Sequence, residues 1–226
     1  MNSKYIFYQT LIVSVIIQVL TGISEIIALF INVPSKFNLI RQLLILELTV
    51  QIIEGSFYTW LVYNFNNVTD VTPKRYIDWS ITTPTMLIEL ILYIIFLNHR
   101  EKDTTFGLEF FNLISKHSTI ITYVILLNWL MLIFGYLGEK NILPTSTSVM
   151  LGFIPFFIYY LLIFINFVRN KMGAYIFFYF FIFWSLYGVV ALLPYYTKNA
   201  LYNILDLFAK NFFGLFLSYI ILTGKY

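Results

Sequence analysis

A chain of 226 residues with 60% hydrophobic and 11% charged residues, a net charge of +3 and a mean hydropathy of +0.81 is not a soluble domain. Soluble domains carry about 25% charged residues, so this composition describes an integral membrane protein in a lipid bilayer. The length fits seven helices of about 20 residues with short loops, which predicts one domain over residues 1–226 and no soluble domain. The absence of cysteine excludes disulfides and thiolate metal sites. No metal centre, nucleic-acid surface or enzymatic activity is expected.

The apolar segments predict helices over 5–30, 39–65, 74–98, 117–137, 146–169, 174–194 and 198–222. The first is too long for a cleavable signal and reads as a retained helix. It carries Ser14 and Gln18 on one face, with Glu25 seven residues further on. The second carries Glu47, Gln51 and Glu54 at i, i+4 and i+7, again one helical face. The third holds the run RYIDWSITTPTMLIE, from Arg75 to Glu89. Residues 100–116 mix Phe106, Leu108, Phe110, Phe111 and Leu113 with charges. They read equally well as an interfacial amphipathic helix or as a plain loop. In the last segment Asn203 and Asn211 flank the pair Asp206 and Lys210. Basic residues concentrate in the loops around Lys36/Arg41, Arg100/Lys102/Lys116 and Arg169/Lys171, and at Lys225. The positive-inside rule then puts the N-terminus outside and the C-terminus in the cytoplasm.

Ionisable groups within apolar spans are costly and mark function by default. Lys210 lies mid-span, one helical turn after Asp206. Burial disfavours the charged amine and leaves a nucleophile suited to Schiff-base formation with an aldehyde. The resulting buried cation needs anionic partners, for which Asp78 and Asp206 are the candidates. Glu89 follows Asp78 by eleven residues. That spacing returns to nearly the same helical face about 16 Å along the axis, so the two carboxyls flank the Schiff base from opposite sides.

RYIDWSITTP resembles the third helix of microbial (type 1) rhodopsins, and the Asp206–Lys210 pair resembles their seventh. The resemblance covers nearly the whole chain. It implies an all-α bundle of seven transmembrane helices enclosing all-trans retinal on Lys210. It also implies Asp78 as primary proton acceptor, Asp206 as second counterion, Arg75 as the extracellular-side guanidinium and Thr82 as a hydroxyl one turn beyond Asp78. For the retinal slot it implies Trp79, Thr83, Pro84 and Met86 on the third helix and Trp184 and Tyr187 on the sixth. The sixth helix departs from the family pattern at Gly188, where proline is usual, and at Ala191, where tryptophan is frequent.

Two functions compete. The triplet Asp78, Thr82 and Glu89 is similar to that of proteorhodopsins, outward proton pumps in which the glutamate returns a proton to the Schiff base. A proton pump needs no stripe such as Glu47/Gln51/Glu54 on the second helix, which reads with Ser14/Gln18 and Asn203/Asn211 either as an interhelical hydrogen-bond network or as the lining of a path. Aligned, these residues line a path between helices one, two, three and seven, and carboxylate lining selects cations. Ser14, Glu54 and Asn211 resemble the central gate of channelrhodopsins, and the short chain resembles the group 1 viral rhodopsins. The expectation is a light-gated channel for monovalent cations or protons, with Glu54 a neutral or remote carboxyl that is not the counterion. An outward proton pump is the alternative, and a photosensor acting through a partner is the third reading. The family allows a homo-oligomer.

Overall fold

The computed structural model describes residues 3–226 and is all-helical among them. Its helices are α1 (Ser3–Leu29), α2 (Asn38–Asn64), α3 (Thr72–Glu101), α4 (Phe110–Lys116), α5 (Ser118–Glu139), α6 (Thr145–Phe167), α7 (Lys171–Val190) and α8 (Tyr195–Thr223). All but α4 run 20 residues or longer and form a seven-helix bundle. Six of them are apolar and long enough to cross a membrane; α2 is as long but carries Glu47, Gln51 and Glu54 inside its span.

Local chemistry sets the ends. Asn170 accepts a hydrogen bond from Gly173 N and opens α7 three residues before the apolar pattern begins. Pro194 precedes α8, and Gly224, with φ of 66°, closes it in the left-handed conformation. The 100–116 segment resolves into a loop and a short helix. α4 buries Leu113, exposes Phe111, and has its first N–H (Phe110) satisfied by Gln42 Oε1 of α2 at 2.8 Å.

The helices are inside-out relative to those of a soluble protein. On α1, Ser14, Gln18, Thr21 and Glu25 are buried, while Ile16, Val19, Leu20 and Ile23 are about half exposed. In a bilayer the outer face meets hydrocarbon, so the polar stripe turns inwards. The opposite side of the bundle is dry. There Phe153, Phe156, Tyr159 and Tyr160 of α6 pack against Phe177, Phe181 and Trp184 of α7.

Two irregularities interrupt the helices that carry the central charges. Pro84 sits inside α3 and cannot donate to Ser80 O. Trp129 of α5 supplies the missing donor, its Nε1–H reaching that carbonyl at 2.9 Å. In α8, Leu207–Asn211 is a π-helical stretch of five residues, an uncommon geometry that recurs at functional sites.

Candidate functional site

Lys210 projects from the π-helical stretch into the middle of the bundle and is 2% exposed. Its Nζ lies 2.9 Å from Asp78 Oδ2 on α3, 3.5 Å from Glu54 Oε1 on α2 and 3.9 Å from Asp206 Oδ1 on its own helix. A buried ammonium requires such partners. Asp78 and Asp206 therefore stand where expected. Glu54 does not: it faces the lysine directly instead of lying apart from the counterions.

Asp206 is held by a cradle. Its Oδ2 accepts from Tyr58 Oη at 2.6 Å and from Arg75 Nη1 at 3.3 Å, and its Oδ1 from Tyr187 Oη at 2.7 Å. The Arg75 guanidinium also donates to Asn203 Oδ1 through Nη2 and to Asn199 Oδ1 through Nε at 3.1 Å. Asn199 in turn donates to Thr72 Oγ1 at 2.9 Å. A fully buried arginine with this many acceptors is a positioned group. Tyr58 and Asn199 escape the sequence reading, although periodicity carries both. Tyr58 continues the stripe of Glu47, Gln51 and Glu54 by one turn, and Asn199 precedes Asn203 by four residues.

The remaining polar residues fill the same interior seam between α1, α2, α3 and α8. Ser14 Oγ donates to Asn203 O at 3.0 Å, Asn211 Nδ2 to Gln51 Oε1 at 3.0 Å, and Gln51 Nε2 to Gln18 O at 3.0 Å. Ser14, Glu54 and Asn211 are thus all buried but joined to three different neighbours and not to one another. Thr82 Oγ1 donates to Asp78 O, the backbone carbonyl, at 3.0 Å. Its hydroxyl serves the α3 backbone and makes no bond to the Asp78 carboxylate. Glu89 is fully buried on α3, beside Glu47 of α2.

An apolar slot runs from Lys210 into the dry half of the bundle. Trp79, Thr83 and Met86 line it from α3 and Trp184 and Tyr187 from α7, as the sequence predicts. Trp79 stands edge-on to Tyr187 and Tyr202, with ring centroids 5.5 and 5.2 Å away. Thr83 is fixed by Asn128 of α5, whose Nδ2 reaches its Oγ1 at 2.7 Å. Pro84 is buried but lies outside the slot's lining; its contribution is the freed carbonyl that Trp129 takes up. At the far end Gly188 and Ala191 both line the slot. A Cβ at Gly188 would stand 2.7 Å from Phe153 Cζ, so the small residue makes room for that ring. An amine ringed by carboxylates at the mouth of a long aromatic slot fits an apolar aldehyde bound as a buried cation.

A family model described as bacteriorhodopsin-like protein matches residues 7–224. No curated protein sequence matches the chain. Among solved structures the chain is similar to the viral rhodopsin OLPVRII, with 24% identity over 97% of this chain and 99% of that one and a TM-score of 0.82. It is also similar to a blue light-absorbing proteorhodopsin from Med12, at 19% identity over 97% and 98% of the two chains and a TM-score of 0.71. The proton pumping rhodopsin AR2 from the marine alga Acetabularia acetabulum matches at 17% identity over 97% and 96%, with a TM-score of 0.70. At these identities the likeness is one of fold.

Proposed function

The chain belongs to the bacteriorhodopsin-like family of microbial rhodopsins, and from that premise we propose that it is a light-gated cation channel with retinal on Lys210. Retinal, all-trans in the dark, would supply light absorption and isomerisation when bound. Trp79, Met86, Trp184 and Tyr187 would hold it along the slot, with Gly188, Ala191 and Phe153 leaving room at the far end. Asp78 holds the charge on Nζ and accepts its proton; Asp206, fixed by Tyr58, Tyr187 and Arg75, stabilises the same cation from the other side. Glu89 holds the proton that returns to Nζ, in either transport mode. The N-terminus is outside and the C-terminus cytoplasmic, so Arg75 lies on the extracellular side of Lys210 and Glu89 on the cytoplasmic side.

The observation that carries the channel reading is the buried polar seam. It runs from Glu25 and Glu47 past Gln18, Gln51 and Asn211 to Glu54, Asn203, Arg75 and Asn199, on four helices. Both carboxyl oxygens of Glu25, Glu47 and Glu54 and both polar side-chain atoms of Gln18 lack a hydrogen-bond partner in the protein. Polar groups at membrane depth are tolerated where they line a water-filled cavity, and carboxylates there favour monovalent cations or protons. Glu54 takes part in the gate through its contact with Lys210: a change at Nζ alters its partner first. A second reading, an outward proton pump, is favoured by the direct contact of Lys210 with Asp78 and by Glu89 on the other side of the lysine.

Voltage-clamp recording in light separates the two. A channel gives photocurrents that reverse sign with voltage. Photocurrents that stay outward at every voltage would replace the channel with the pump.

A further inference from the structure

Three glutamates meet away from the Lys210 counterions. Glu25 of α1, Glu47 of α2 and Glu89 of α3 are each 0% exposed. Glu47 and Glu89 lie side by side, and Glu25 is close enough to interact electrostatically with both. Neighbouring carboxyls can hydrogen-bond to one another only when one of them carries a proton. No carboxyl oxygen of Glu25, Glu47 or Glu89 has another hydrogen-bond partner in the protein. The position of Glu25 is fixed independently by α8. A Cβ built on Gly214 would collide with Glu25 Oε1 and lie 3.2 Å from Glu47 Cγ, so the glycine is what lets the Glu25 carboxyl reach Glu47. Three neighbouring carboxyls, all fully buried, cannot all be ionised.

We propose that Glu25, Glu47 and Glu89 work as one proton-holding unit, in which Glu25 and Glu47 are positioning residues for the proton that Glu89 gives back towards Lys210. This rests on the reading of Glu89 as internal donor. In the transfer the O–H bond of Glu89 breaks and an N–H bond forms at Lys210 Nζ. The single negative charge left behind is shared across the unit through the hydrogen bonds of its remaining protons. A proton from the cytoplasmic solvent then restores the dark state.

The test combines infrared spectroscopy and flash kinetics on the full chain. In the retinal-free protein, Glu89→Gln identifies the protonated-carboxyl C=O band of Glu89. Glu25→Gln, nearly isosteric, is expected to shift that band although it leaves Glu89 in place. Gly214→Ala removes no ionisable group but displaces the Glu25 carboxyl, and is expected to shift the same band. With retinal bound, Glu25→Gln is expected to slow decay of the deprotonated intermediate several-fold and make it pH-dependent. A Glu89 band and a decay rate unchanged in both Glu25→Gln and Gly214→Ala overturn the unit while leaving Glu89 as a solitary donor. A decay unchanged in Glu89→Gln itself removes the donor reading, and the unit with it.

Discussion

The two sides of the bundle solve the membrane problem differently. Between α1, α2, α3 and α8 the interior is polar, and order comes from directed bonds: Arg75 to Asp206, Asn203 and Asn199, Lys210 to Asp78, Asn211 to Gln51. Between α5, α6 and α7 the interior is aromatic, and order comes from rings at centroid distances such as 4.8 Å for Phe156–Tyr160 and 5.5 Å for Tyr160–Phe177. Hydrocarbon outside gives no hydrophobic drive for helix association, so each side relies on what it can make inside. The polar side supplies charge and proton chemistry at the cost of buried ions. The aromatic side supplies a shaped, dry slot. Lys210 lies on the boundary, its Nζ facing the first and its slot leading into the second.

Substitutions that test this division rank by expected effect. The largest is Lys210→Ala, which removes the attachment atom and should leave protein supplied with retinal without any visible band. A surviving red-shifted, light-sensitive band would end the retinal assignment. Next is Asp78→Asn, which removes the charge 2.9 Å from Nζ. The visible band should move to the red, and alkali should bleach it at a lower pH than in wild type, because the cation has lost its nearest anion. A spectrum and titration equal to wild type would show that another carboxylate carries the role.

Glu54→Ala is the substitution on which sequence and structure disagree. Read as a neutral or remote gate carboxyl near Ser14 and Asn211, Glu54 is not a counterion, and its removal should barely move the absorption maximum. At 3.5 Å from Nζ, its removal should shift that maximum, by less than Asp78→Asn does, and also alter ion selectivity or conductance. Photocurrents that are one-directional in wild type and insensitive to this change would favour the pump. The smallest effect is expected on the aromatic side. Gly188→Ala must displace the Phe153 ring, 2.7 Å from the new Cβ. Overpacking of this kind costs about 1–3 kcal/mol, to be read as a lowered thermal midpoint with unchanged ion selectivity. Altered selectivity there would blur the boundary between the two sides.

The sequence makes the polar side legible because each charge in an apolar span is conspicuous. Asp78, Asp206, Lys210 and the stripe on α2 stand out against their neighbours, and the structure buries all of them. What it conceals has physical reasons. Tyr58 is one tyrosine among 18, distinguished only by continuing a stripe. The bond from Trp129 to Ser80 O is invisible because backbone carbonyls carry no sequence signal; only Pro84 hints that one is free. The aromatic side is harder still, since with 20% aromatic residues composition alone does not separate slot from lipid face.

The π-helical stretch has a consequence for the rotational phase of α8. Ideal helix geometry advances about 100° per residue, so the neighbours Lys210 and Asn211 would point apart. Yet both are buried, one against Asp78 and the other against Gln51. The extra residue in the turn resets the helix by roughly one residue's rotation. Gly214 and Ser218 beyond it thereby share an inward face with Asn199, Asn203 and Asp206 before it. α8 is in effect two helices indexed to a common interior line, with the lysine at the join. Deleting Phe208, whose side chain is 45% exposed, should regularise the helix. It would leave Gly214 seven residues after Asp206 instead of eight, within about 20° of the same inward line in a regular helix, so the seam beyond Lys210 should keep its register while the widened turn that carries the lysine is lost.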